Sequence, residues 1–176
     1  IATGQTIRTF SDAEVKKLLQ KGLFLDAVAA RVLIERGFGD AIGLEKAEEP
    51  VFLDRLGAFS AEEFHYRPWG GRDRTYLTLT IPDLGSRPNV SVMNPMSAAA
   101  VTSWLVDPDT KRVFPGMIAF ENRQGGRVVV HALDWASACG PAFFHPFRRQ
   151  QLCGAFRWLT RGQLPVVVQG GVYPLG

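Results

Sequence analysis

The chain has 176 residues, of which 46% are hydrophobic and 21% are charged. This is enough apolar side chain for one buried core and too much for a disordered segment. It contains no uninterrupted apolar run of about 18 residues and no signal-peptide pattern at the N-terminus, so a membrane partner is not expected. The net charge is +3, and arginines continue after the last acidic residue, Asp134. They are too sparse for a nucleic-acid surface, so nucleic acid is not an expected partner either.

The first predicted element is a helix that begins at Ser11. The sequence Ser11-Asp12-Ala13-Glu14 has the pattern of a capping box, in which the serine hydroxyl and the glutamate carboxylate bond to each other's backbone N–H groups. Val15, Leu18 and Leu19 supply the apolar stripe. Gly22 is expected to end the helix in the left-handed conformation.

A buried strand and a second helix are predicted next. The short apolar run Leu23–Leu25 is typical of a strand covered on both faces. Asp26 follows it as an N-cap for a helix that continues to about Arg36, and Gly37 closes that helix. Helix, strand and helix within residues 1–45 indicate an α/β layered fold.

The period changes to two after about residue 50, so residues 46–135 are predicted to be mostly β. Thr75–Ile81 and Ala100–Val106 are strand candidates, each followed by a Pro/Asp turn. Gly116–Glu121 and Arg127–His131 flank a turn that ends in Gly-Gly, which predicts an antiparallel β-hairpin.

The region 136–176 is predicted to contain a helix and a last strand. The helix is expected over Pro146–Leu159, with Phe147, Leu152 and Phe156 among the residues that face the core, and the strand over Pro165–Val168. No repeat or linker divides the chain, so all 176 residues are expected to form one domain.

Two carboxylates are candidates for hydrolytic chemistry. Glycoside hydrolysis uses a pair of carboxyl groups about 5 to 10 Å apart, and Glu121 and Asp134 each end a strand of the predicted hairpin. However, they lie at opposite ends of that hairpin, which predicts a larger separation. Roles in the turn and as a cap are therefore the favoured interpretation.

The two cysteines give a second, weaker candidate. Cys139 or Cys153 would need a base such as His131 or His145 to form a reactive thiolate. Each cysteine has small or apolar neighbours, which favours an inert buried thiol. Two cysteines are too few for a zinc site, and nucleotide-binding fingerprints are absent from the sequence, so neither a metal nor a cofactor is expected.

The stretch His65–Arg74 is the best candidate for ligand binding. It places Trp69 among His65, Arg72 and Asp73 on a predicted loop with two adjacent glycines. An indole can stack on the face of a sugar ring while charged groups bond to the hydroxyls at its rim. The alternative is that Trp69 only anchors the loop to the core.

Several of these motifs together resemble a known family. They look like a segment of large bacterial glycoside-hydrolase-like proteins, related to the β-galactosidases, that carry a glutamine-amidotransferase-like α/β domain after a barrel. The stretches that carry the resemblance are Phe10–Val15, Gly22–Asp26, Glu35–Gly39, Pro115-Gly116, Phe120–Asn122, Gly125–Val128 and Trp158–Val166.

The resemblance implies a flavodoxin- or amidotransferase-like mixed sheet with an antiparallel hairpin, excised from a longer polypeptide and lacking its N-terminal strands. It implies a non-catalytic accessory or assembly domain whose partner is the catalytic barrel of the same chain. Carbohydrate, through the Trp69 loop, and a second copy of the chain are further candidate partners. Neither Cys139 nor Cys153 matches the amidotransferase nucleophile. A small hydrolase and a carbohydrate-binding module are the alternative functions.

Overall fold

The computed structural model describes residues 1–51, 61–64, 75–77, 90–106, 113–135 and 146–163. Its helices are α1 (Gly4–Thr9), α2 (Asp12–Leu19), α3 (Ala27–Glu35), α4 (Gly39–Ile42) and α5 (Pro146–Leu159). Its strands are β1 (Gly22–Leu25), β2 (Leu44–Val51), β3 (Ala61–Phe64), β4 (Thr75–Leu77), β5 (Val90–Pro95), β6 (Ala100–Val106), β7 (Val113–Glu121) and β8 (Arg127–His131).

The central sheet is mixed, which confirms the predicted fold class. In the described part of the chain it has the order β1-β8-β7-β6-β3-β4. β1 and β8 pair in parallel, with Leu23 beside Val128, and the remaining neighbours are antiparallel. β2 and β5 form a separate antiparallel pair. The parallel pairing of β1 with β8 needs a crossover, whereas β7 and β8 are joined by a short hairpin turn.

Side chains that alternate along β1 and β8 divide the core into two layers. Leu23 and Leu25 face one layer, where they pack in the cluster that contains the buried residues of α2 and α3. Phe24 and Val129 face the other layer, together with Ala155 and Leu159 of α5. Because both faces of β1 are covered, the strand is a continuous apolar run, as the sequence predicted.

Local signals placed several elements correctly. Ser11 and Glu14 form the complete capping box of α2, and the Asp26 carboxylate caps α3 by accepting from the Ala29 N–H at 2.7 Å. The hairpin formed by β7 and β8, the bounds of β6 and β8, and helix α5 also match their predictions.

One predicted helix end is wrong. α2 ends at Leu19, and Gly22 is the first residue of β1 and has no positive φ. The glycine is needed there for space, because a Cβ on Gly22 would lie 2.7 Å from the carbonyl oxygen of Leu159. Close approach of the end of α5, rather than a left-handed cap, therefore explains this residue.

Two predicted strands lie wholly or partly outside the described residues: all of Pro165–Val168 and the end of Thr75–Ile81. The side chain of Phe147 is also outside them. Among the described residues, no helix is both long enough and apolar enough to cross a membrane.

Candidate functional site

The Glu121 carboxylate, one of the two hydrolytic candidates, is held by two arginines. Glu121 ends β7 directly opposite Arg127, the first residue of β8. Arg127 donates from Nε to Glu121 Oε2 at 2.9 Å, and Arg161 donates from Nη2 to Oε1 at 3.2 Å. The hydrogen bond from Arg127, followed by that from Arg161, lowers the pKa of Glu121. The group is therefore an ionised structural anion at neutral pH.

The same two arginines connect the hairpin turn to the end of α5. Arg127 also donates from Nη1 to the carbonyl oxygen of Trp158 at 2.8 Å, and its guanidinium lies 4.9 Å from the centre of the Trp158 ring. Arg161 donates to the carbonyl oxygen of Gly125 at 2.7 Å. Glu121 thus lies at the centre of a set of contacts, named here the Glu121 clamp, that joins β7, β8 and α5.

Arg161 adopts an unusual backbone conformation within this clamp. Among the described residues it is the non-glycine residue with a positive φ, at 55°. A left-handed conformation costs an L-residue of order 1 kcal/mol or more. Its N–H donates to the Trp158 carbonyl oxygen, and its side chain bonds to Glu121 and Gly125, so the residue that ends α5 in this conformation also contacts the hairpin turn.

Asn122 fixes the hairpin turn from the other side. Its Nδ2 donates to the carbonyl oxygens of Leu19 at 2.7 Å and of Ala41 at 3.3 Å, while its Oδ1 accepts from the N–H groups of Gln124 and Gly126, both at 3.0 Å. A Cβ on Gly126 would lie 1.7 Å from the Leu19 carbonyl oxygen, so only glycine fits there. The turn is therefore rigid and its polar groups are used structurally.

Asp134, the second hydrolytic candidate, lies at the far end of β8. Glu121 is beside Arg127, whereas Asp134 follows Ala132, whose N–H continues the ladder by donating to the Gly116 carbonyl oxygen. Five residue steps from Arg127 to Ala132 span about 16 Å at the usual rise of a strand. Because two catalytic carboxyl groups must be about 5 to 10 Å apart, the structure does not bring Glu121 and Asp134 together.

Asp134 instead lies near a buried carboxyl group at the carboxyl ends of β1 and β8. Asp26 follows β1 and is only 1% exposed. Burial is the largest influence on the pKa of Asp26 and raises it, as does the charge of Asp134, while the N–H groups of Ala29, Trp135 and Gly4 lower it. The net shift is upward, because burial penalises the ionised form.

A buried histidine lies at the same edge of the sheet. His131, the last residue of β8, accepts at Nδ1 from Trp135 Nε1 at 2.8 Å, which places the proton of the neutral ring on Nε2. The Trp135 ring lies 5.0 Å from that of Phe24, and Phe24 lies 5.2 Å from Phe156. His131 is thus part of an aromatic cluster beneath α5.

Asp26, His131, Asp134 and Trp135 lie together at this edge and are named here the carboxyl-edge cluster. From the sequence, three of these residues have separate predicted roles: Asp26 as a cap, His131 as a partner for cysteine and Asp134 as a partner for Glu121. Only the strand pairing brings them together: β1 and β8 are parallel neighbours, so their carboxyl ends meet at one edge of the sheet.

The remaining candidates are less informative. Cys153 is a free, exposed thiol on α5 rather than a buried one, which corrects that prediction for this cysteine. Cys139 and His145 lie outside the described residues, as do the proposed sugar-binding residues His65, Trp69, Arg72 and Asp73. Within the described ranges, no group of three or more histidine, cysteine, aspartate or glutamate side chains is arranged to hold a metal ion.

No protein-family model and no curated protein matches this chain.

Proposed function

We propose that the chain is a non-catalytic accessory or assembly domain of a carbohydrate-active, glycoside hydrolase-like protein. The observation that carries the proposal is the Glu121 clamp, because it gives the best catalytic candidate a structural role. The carbohydrate-related part rests on the family resemblance of the helix, strand and turn motifs, and the catalytic barrel of that family is the proposed partner.

The chemistry of Glu121 supports a structural role. A glycosidase general acid needs a raised pKa so that it carries a proton near neutral pH, whereas the arginines lower the pKa of Glu121. A carboxylate nucleophile would need a partner carboxyl group within about 5.5 Å, and Asp134 lies at the other end of β8. Both carboxylate oxygens of Glu121 already accept hydrogen bonds.

Assay of the purified chain against a panel of aryl glycosides tests this proposal. We expect no turnover above the uncatalysed rate, and no difference between the wild type and the variants Glu121→Gln and Asp134→Asn. Turnover that either substitution abolishes would overturn the proposal.

A small hydrolase is the second candidate, and the carboxyl-edge cluster is the observation that favours it. Asp26 has a raised pKa and lies near the charge of Asp134, which is the kind of pair that enzymes use for acid–base chemistry. Against this, Asp26 is buried and caps α3. Loss of a measurable hydrolytic rate on Asp26→Asn, with the fold retained, would favour the hydrolase over the accessory domain.

A further inference from the structure

The side of α5 that faces away from the sheet carries two arginines and a cysteine. On the inner side of the helix, three residues at four-residue spacing are buried: Gln151, Ala155 and Leu159. Arg149, Cys153 and Arg157 have the same spacing, are all exposed, and are offset from the buried set by two residues. Two residues turn an α-helix through about 200°. The exposed set, named here the arginine stripe, therefore lies opposite the buried one.

The positive charge of the arginine stripe is not neutralised within the part of the chain that the structure describes. The sequence of α5 contains no aspartate or glutamate. Among the described residues, no carboxylate forms an ion pair with Arg149 or Arg157. The two arginines of the Glu121 clamp, by contrast, both bond to a carboxylate. The stripe therefore presents two exposed guanidinium groups to solvent.

Helix stability explains only one of these two charges. Arg157 lies in the last turn of α5, where the helix dipole favours a cation. Arg149 lies in the first turn, where the same dipole favours an acidic residue, and that turn contains none. A helix face that only keeps a protein soluble mixes charges of both signs and gains from pairs four residues apart. Arg149 thus carries a charge that disfavours its own helix, which points to a role outside it.

We infer that the arginine stripe binds an acidic segment of a partner protein. Eight residues of helix separate Arg149 from Arg157, which places their Cα atoms about 12 Å apart. In an extended chain, residues four apart lie on one face and about 13 Å apart. Two carboxylates at that spacing match the two guanidinium groups, and each pair can form two parallel N–H···O bonds. The proposed function assigns no surface of this domain to a partner, and the stripe supplies one.

The charge density of the stripe favours a protein over a nucleic acid. Duplex DNA carries one negative charge per about 1.7 Å of its axis, and proteins that bind it cluster many lysines and arginines on one face. The arginine stripe has two cations over about 12 Å, with the uncharged Cys153 between them. A second copy of the chain is a poor partner, because the net charge of +3 makes two copies repel each other.

Titration of the full chain with a fluorescein-labelled peptide of about ten glutamates tests this inference by fluorescence anisotropy, at about 50 mM salt so that screening is weak. A peptide of alternating glutamine and serine is the uncharged control. The test variant combines Arg149→Gln with Arg157→Gln. The matched variant combines Lys16→Gln with Lys17→Gln, which removes the same charge from exposed positions on α2. A second measurement is the alkylation rate of Cys153, followed by mass spectrometry of the fragment that contains it.

The arginine variant is expected to bind the glutamate peptide about tenfold more weakly than the wild type, and the lysine variant within about twofold of it. Bound glutamate peptide should slow alkylation of Cys153, and the uncharged peptide should not. Equal losses of affinity in the two variants, or alkylation of Cys153 that the glutamate peptide leaves unchanged, would overturn the inference. Tighter binding of a short DNA duplex at the same salt concentration would also overturn it. None of these results depends on glycoside hydrolysis, so the proposed function is tested separately.

Discussion

The amide Nδ2 of Asn122 donates to the carbonyl oxygen of Leu19 at 2.7 Å across 103 residues of sequence. This bond joins the turn of the β7–β8 hairpin to the end of α2. Because Leu19 is the last residue of that helix, its carbonyl is one of the groups that a helix leaves without an intrahelical partner. Asn122 therefore completes the helix and the turn with one side chain.

Substitution Asn122→Ala is expected to destabilise the chain by about 3 kcal/mol, since it removes two donated and two accepted hydrogen bonds at a buried site. Urea unfolding measures the effect. The control is Arg123→Ala in the same turn, whose exposed side chain should change stability by less than about 0.5 kcal/mol. Equal losses of unfolding free energy in the two variants would show that the hydrogen bonds of Asn122 do not stabilise the chain beyond the turn itself.

Substitution Phe24→Ala is expected to cost about 3 to 5 kcal/mol, because it leaves a cavity beneath Trp135 and Phe156 in the layer covered by α5. Val113→Ala is the surface control, since Val113 is 54% exposed at the start of β7. A loss below about 1 kcal/mol for Phe24→Ala in denaturant unfolding would contradict the two-layered core.

Glu121 is expected to give a stability contribution that disappears in acid. Its folded pKa is lower than its unfolded value of about 4.3, so the contribution is present above that pH and is lost as the pH falls through the folded pKa. Glu121→Gln should therefore be less stable than the wild type at pH 7, and the two should converge in acid. A difference that stays constant from pH 7 to pH 2 would disprove the ion-pair role.

Asp26 is expected to behave in the opposite way. Its folded pKa lies above the unfolded value of about 3.9, so its contribution is fully present below that pH and is lost as the pH rises through the folded pKa. Asp26→Asn keeps an acceptor for the Ala29 N–H and should gain stability relative to the wild type as the pH rises from the unfolded pKa through the higher folded pKa of Asp26.

The matched variant for this prediction is Asp134→Asn, which removes the neighbouring charge that raises the pKa of Asp26. In that background, the stability difference between Asp26 and Asn should begin at the same pH, near the unfolded pKa, but should level off at a lower pH and be smaller. If Asp26→Asn instead lost stability relative to the wild type as the pH rises, the raised pKa of Asp26 would be contradicted.

Elements with strong local signals could be predicted from the sequence, and elements held by tertiary contacts could not. The capping box at Ser11 and the hairpin turn around Gly125 both contain their own hydrogen bonds. Helix α1 has no side-chain cap at Thr3, and its Ile7 is fully buried, so packing stabilises it. β3 contains Glu62-Glu63 and has no apolar alternation, which is why the period of two did not indicate it.

The arrangement of the candidate site could be predicted only in part, because it depends on which strands pair. Glu121 and Asp134 were correctly expected to lie apart, since both belong to one hairpin and strand rise fixes their separation. The proximity of Asp26 to Asp134 depends on the parallel pairing of β1 with β8, which lie about a hundred residues apart in sequence. Neither motif spacing nor hydrophobic period contains that information.

The proposed accessory role predicts that this domain does not hydrolyse glycosides, and steady-state hydrolysis of aryl glycosides measures this. Wild type, Glu121→Gln and Asp134→Asn are compared from pH 4 to pH 8 at matched concentration, each shown to be folded by circular dichroism. We expect one common rate for the three proteins, equal to the uncatalysed rate at every pH. A bell-shaped pH profile in the wild type that either substitution eliminates would contradict it.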